Sequence, residues 1–127
     1  MKKLNNITAG LVCLALSAGV MAQGVTDDEV VLGTSTALSG PAALWGVAAS
    51  QAAQIRFDMA NESGGVHGRQ IRVVLEDHQY QVPIHVKAIN KLINLDKVFA
   101  TFNVLGTPMN LATAETQFAN NVPMLFP

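Results

Sequence analysis

The chain has 127 residues, of which 13% are charged and 50% hydrophobic, with a formal net charge of −1. That length suits one compact domain or a slice of a larger one. No basic stripe interrupts the near-neutral balance, which argues against nucleic acid or an anionic membrane surface as a partner.

The first 22 residues read as a targeting segment. Met1-Lys2-Lys3 is a short basic start, and residues 7–20 form an apolar run broken only by small side chains. Val20-Met21-Ala22 offers modest side chains where a signal peptidase reads, leaving Gln23 as the new N-terminus. The run is short for a bilayer span, which needs about 20 apolar residues. The one cysteine, Cys13, lies inside the run behind Val12, where a lipoprotein signal would place a small residue. Residues 1–22 are therefore expected to be a signal peptide. Residues 23–127 would then have no disulfide, thiol nucleophile or thiolate metal site. Without Lys2 and Lys3, six basic residues face nine acidic ones, a formal charge of −3.

After the polar start Thr26-Asp27-Asp28, residues 29–33 read as a short buried strand and residues 34–40 as a small, polar loop. A helix is expected from about residue 45 to 61. Its apolar stripe would be Ala48, Ala52, Ile55 and Met59, at i, i+4, i+7 and i+11. Gly64-Gly65 stops it in the manner of a C-cap, residues 66–69 turn the chain, and residues 71–75 are a second strand. Pro83 can open the next helix, because its missing N–H costs nothing in a first turn. Val86, Ile89 and Ile93, with Ala88 and Leu92 beside them, line that helix. Residues 98–102 are a third strand, 108–120 a third helix and 122–126 a fourth strand.

This alternation predicts an α/β fold, a parallel sheet with helices on both faces. In such sheets ligands bind beyond the carboxyl ends of the strands. Function is therefore to be sought in residues 34–45, 77–82 and 103–109.

Leu105-Gly106-Thr107-Pro108 is the strongest local candidate. Thr107 is a natural N-cap and Pro108 fits the first helical position. The amides of Gly106, Met109 and Asn110 could then face a ligand at the positive end of the helix, which favours a carboxylate. The plain alternative is that Thr107 only caps its own helix. Trp45, on the small-residue stretch after Leu38-Ser39-Gly40-Pro41, can lay its face on an apolar ligand group or simply close the helix onto the sheet. Gly64-Gly65-Val66-His67-Gly68 follows a helix and precedes a strand, the reverse of a dinucleotide-binding turn. His67, His78 and His85 have no metal-ligand spacing and read as solvated. Glu76 and Asp77 point to opposite faces of a strand and make a poor catalytic pair. Neither a nucleophile turn nor a phosphate loop is present, so no catalytic residue, metal or cofactor is expected.

Taken in order, several stretches resemble the branched-chain amino acid binding proteins of ABC importers. Val31-Leu32-Gly33, Ala37-Leu38-Ser39-Gly40-Pro41 and Trp45-Gly46 look like the start of their mature chains. Residues 61–69 are similar to the family's turn between first helix and second strand. Gly106-Thr107-Pro108-Met109-Asn110-Leu111-Ala112 and Val122-Pro123-Met124-Leu125-Phe126 match a related branch. The resemblance implies a two-lobed periplasmic protein that closes on its solute by a hinge, with residues 23–127 forming the first part of the N-terminal lobe. It implies that Trp45 packs on the ligand side chain, and that Leu105, Gly106 and Thr107 form the loop holding the ligand carboxylate. Some relatives carry a serine where Gly106 stands, so only its backbone would serve. The expected partners are a small solute (an amino acid or related carboxylate) and a membrane permease, and the protein would act as a monomer, not an enzyme. The alternative is a ligand-sensing domain of the same fold in a regulator or receptor. The genes beside this one, for a permease and ATPase or for a regulator, would separate the two.

Overall fold

The computed structural model describes residues 22–127. The basic start, the apolar run and Cys13 lie outside the described residues. Four strands form one sheet in the order β2-β1-β3-β4, and every neighbouring pair is parallel. β1 (Glu29–Thr36) pairs along its whole length with β2 (Gln70–Asp77), from Glu29 opposite Gln70 to Thr36 opposite Asp77. On its other side it pairs with β3 (Ala100–Phe102), and β3 with the short β4 (Met124–Leu125). The helices are α1 (Ala43–Glu62), α2 (Val82–Asn94) and α3 (Thr107–Ala119).

Alternation along β1 divides the two faces. A Cβ on Gly33 would meet Leu92 and Val98, so the odd-numbered side of β1 faces α2. Val31, Ile89, Leu92, Ile93, Val98 and Val122 form the core there, each at most 4% exposed. Burying side chains of this kind stabilises by roughly 1.5–3 kcal/mol each, so this layer carries most of the packing energy. α2 and α3 lie against each other on that side. α1 covers the opposite face, where Phe57 meets Phe102 edge-on at 5.3 Å. The Asn61 side-chain amide fastens the end of α1 to β2, donating to the carbonyl of Ile71 (2.8 Å) and accepting its N–H (2.7 Å).

Three expectations are corrected. β1 runs on through Thr34, Ser35 and Thr36, which had read as loop. Their small side chains are buried because the β2 ladder continues beside them and cross-layer hydroxyl contacts satisfy Ser35. The predicted stripe of α1 faces solvent: Ala48 and Ala52 are exposed, Ile55 is 60% exposed and Met59 50%. The helix instead turns Gly46 inward, along with the half-buried Ser50, Ala53 and Phe57. Gly46 sets this close approach, since a Cβ there would overlap the backbone of Ala37. Finally, His78 and His85 are fully buried rather than solvated, while His67 is exposed.

Candidate functional site

The loops beyond the carboxyl ends of β1, β2 and β3 converge on a hollow of about 320 Å³ lined by Pro41, Ala42, Trp45, Tyr80 and Leu105. Trp45 opens onto it from the first turn of α1 and remains 65% exposed. Leu105 comes from the segment between β3 and α3. Tyr80, 43% exposed, comes from the turn between β2 and α2. The sequence pointed to that turn but not to the aromatic within it. A second, mainly apolar hollow of about 260 Å³ lies between α1 and the sheet, lined by residues such as Leu38, Val73, Leu75 and Phe102. It lies over the face of the sheet, not beyond the strand ends, so the hollow at the strand ends is the better candidate.

Tyr80 is held by its turn. Gln79 and Tyr80 both have positive φ, 52° and 59°, a region that costs an L residue roughly 1–2 kcal/mol. Side-chain acceptors stabilise both amides: Asp77 Oδ1 accepts the Gln79 N–H (2.9 Å) and His78 Nδ1 accepts the Tyr80 N–H (2.9 Å). Asp77 also ties this turn to the β1–α1 loop, accepting from Leu38 N–H (2.9 Å) and from the Ser39 hydroxyl (2.6 Å). Desolvation pushes the Asp77 carboxyl up, but these hydrogen bonds together hold it below its ordinary pKa. Glu76, the preceding residue, points to the other face and pairs with Lys91 of α2.

Gly106, not Thr107, is the N-cap of α3, and Thr107 and Pro108 are its first two residues. The carbonyl of Gly106 accepts the N–H groups of Met109 and Asn110, both at 3.1 Å. Those two amides therefore do not face a ligand as expected. The N–H groups of Gly106 and Thr107 are the first-turn donors that this carbonyl leaves over. Thr107 makes no side-chain capping bond, is exposed, and does not line the hollow. Gly106 has φ 113°, and a Cβ there would come 3.1 Å from Met109 Sδ and 3.2 Å from the Tyr80 ring. Glycine is needed both for the backbone and for this contact.

Beneath the hollow a chain of buried polar groups joins the layers. His85 Nδ1 lies 3.0 Å from the Ser35 hydroxyl and Nε2 3.1 Å from that of Thr113. Thr113 donates to the Met109 carbonyl and accepts from Gln117, whose carbonyl oxygen accepts from Thr101 (2.5 Å). Because the proton of Thr113 is spent on Met109, His85 Nε2 must be the donor and Nδ1 the acceptor. Burial, followed by the neighbouring His78, pushes the His85 pKa down to about 4. Among the described residues no three His, Asp or Glu side chains cluster as a metal site would need, and no helix is long and apolar enough to cross a membrane.

Residues 29–127 match the family described as periplasmic binding protein. The leucine-specific-binding protein of Salmonella typhimurium is 32% identical over 93 residues, covering 73% of this chain and 24% of that protein. Among solved structures, a fatty acid ABC transporter substrate-binding protein from Thermomonospora curvata is 33% identical with a TM-score of 0.71, over 80% of this chain and 26% of that one. The branched-chain amino acid transporter substrate binding protein of Streptococcus pneumoniae, in complex with isoleucine, is 26% identical with a TM-score of 0.73, over 76% and 28%. The chain thus spans about a quarter of the length of these relatives. Sequence and fold together make this chain a member of the periplasmic binding protein family.

Proposed function

We propose that this chain supplies one wall of the ligand site of an extracytoplasmic receptor serving an ABC importer. Its solute is an amino acid or a related small carboxylate or amide. The observation that carries the reading is the meeting of Trp45, Tyr80 and Leu105 around one hollow at the carboxyl end of the sheet, with Gly106, the N-cap of α3, against the Tyr80 ring. An apolar group would lie against Trp45 and Tyr80, and a carboxylate would sit at the N–H groups of Gly106 and Thr107 and the Thr107 hydroxyl, where the helix dipole favours negative charge. The ligands in the names of the relatives, leucine, isoleucine and fatty acid, share this pairing of a carboxylate with an aliphatic part. Binding would bring a second lobe down by hinge closure, and a membrane permease would take the solute from the closed form. Residues 1–22 act as the signal peptide, so the receptor works in the periplasm, as a monomer and without chemistry of its own.

The test is calorimetric titration of the full-length protein and two variants with L-leucine, L-isoleucine and L-valine. Trp45→Ala and Thr107→Ala should each weaken the best of these ligands about ten-fold, as expected for a lost apolar wall and a lost hydrogen bond to a charged group. Unchanged affinity in both variants would move the ligand elsewhere.

A further inference from the structure

His78 is the last residue before the β2–α2 turn and is fully buried, with its N–H donated to the Thr36 carbonyl at 2.9 Å. Its ring touches both lips of the hollow. Nε2 lies 3.0 Å from the carbonyl oxygen of Leu105, which can only accept, so Nε2 carries the proton. Nδ1 lies 2.9 Å from the backbone nitrogen of Tyr80, whose N–H can only donate, so Nδ1 is bare. Only the neutral Nε2–H tautomer satisfies both contacts. One lip is a turn whose residues Gln79 and Tyr80 both hold the left-handed conformation that L side chains rarely adopt. The other is the Leu105–Gly106 stretch, whose glycine packs against the Tyr80 ring.

We propose that His78 is the positioning residue of the ligand site: one buried imidazole that fixes the Tyr80 turn and the Leu105–Gly106 loop relative to each other. This rests on the receptor reading above. The role differs from that of His85, whose bare Nδ1 faces the rotatable hydroxyl of Ser35. A hydroxyl can turn from donor to acceptor, whereas the amide of Tyr80 and the carbonyl of Leu105 cannot. Protonating Nδ1 of His78 would set two donors face to face and release the Tyr80 turn.

The groups facing the ring are the neighbouring Asp77 of β2, His85 of α2 with ring centroids 5.4 Å apart, and Tyr80 at 6.3 Å. From β1 and from the segment before α3, the groups that meet His78 are the backbone carbonyls of Thr36 and Leu105. Burial pushes the His78 pKa below its ordinary value, against the pull of the Leu105 carbonyl and of Asp77. The clamp is therefore intact at neutral pH and opens in acid.

The experiment uses the full-length protein with His78→Asn, His78→Gln and His78→Ala, and His67→Gln as an exposed control. A shortened amide at Asn can still accept the Tyr80 N–H, and a longer one at Gln can still donate to Leu105, so each keeps one half of the clamp. L-leucine affinity is measured by calorimetry from pH 7.5 down to pH 4.5, and protection of the Tyr80 amide by hydrogen exchange. At pH 7.5, Ala should weaken L-leucine on the order of ten-fold, with Asn and Gln between it and the parent. The parent and His67→Gln should lose affinity in acid, and all three His78 variants should lose that dependence. Tyr80 protection should survive in Asn and fall in Gln and Ala. Affinity within two-fold of the parent in His78→Ala, or an acid loss that persists there, would overturn the proposal while leaving the receptor reading intact. A parent protein that binds none of L-leucine, L-isoleucine and L-valine would remove the branched-chain receptor reading and the positioning role with it. Equal Tyr80 protection in all variants would overturn the clamp itself.

Discussion

Lowering the pH should destabilise this domain through His85 before its carboxylates are neutralised. In the fold the imidazole is held neutral, with its pKa pushed from 6.5 down to about 4. An unfolded chain takes up a proton on this residue near pH 6.5, while the folded chain resists until about pH 4. Stability from this group is thus fully present above pH 6.5. It falls between 6.5 and about 4, and it changes no further below that. At about 1.4 kcal/mol for each pH unit, the loss is on the order of 3 kcal/mol. Domains of this kind have roughly 5–15 kcal/mol to spare, so the effect is large. The assay is urea unfolding of the full-length protein and of His85→Leu, followed from pH 7.5 to pH 4. At pH 7.5 the variant should be less stable by about 1–3 kcal/mol, because the hydroxyls of Ser35 and Thr113 lose a buried partner. Its pH curve should be flatter, so that the gap to the parent closes towards pH 4. Parallel curves for the two proteins would remove His85 as a cause, since the groups they share, the carboxylates and His78, would then account for all of the acid sensitivity.

Three further outcomes follow from particular contacts. Gly106→Ala should cost about 1–3 kcal/mol, because φ 113° is strained for alanine and the added Cβ presses on Met109 and Tyr80; thermal melting checks it. Gly46→Ala should destabilise by a similar amount, roughly 1–3 kcal/mol, by pushing α1 off the backbone of Ala37, and a melting midpoint equal to the parent's would contradict the packing. Cleavage of the exported protein should leave Gln23 first, which mass spectrometry reads directly, whereas a product that keeps Met1 would show that residues 1–22 are not removed.

The parallel αβ pattern was legible because α2 carries its large apolar residues on one face and β3 follows it at once. Buried Ile89, Leu92 and Ile93 are the residues that periodicity selects. α1 misleads for a physical reason. Apart from Phe57, its sheet-facing side is made of small residues such as Gly46, Ser50 and Ala53, while Ile55 and Met59 point outward. A hydropathy stripe weighs size, and close backbone approach needs the opposite. The end of β1 is hidden in the same way, since Thr34, Ser35 and Thr36 look like loop until their partners are known. That Trp45 and Leu105 lie beyond strand ends, where they line one hollow, was legible from their positions in the chain. The placement of Tyr80 and His78 was not, because it depends on two left-handed residues and on a hydrogen bond that spans 27 positions of the chain.

The hollow at the carboxyl ends of β1, β2 and β3 is proposed to receive a small carboxylate with an apolar part. Titration of the full-length protein with L-leucine, followed through Trp45 fluorescence with any other tryptophans replaced, tests it most directly. A saturable change in emission is expected as the indole is covered, with the same dissociation constant by calorimetry. Calorimetric binding without any change at Trp45 would contradict the assignment of this hollow, and no binding of any small aliphatic carboxylate would contradict the receptor reading itself.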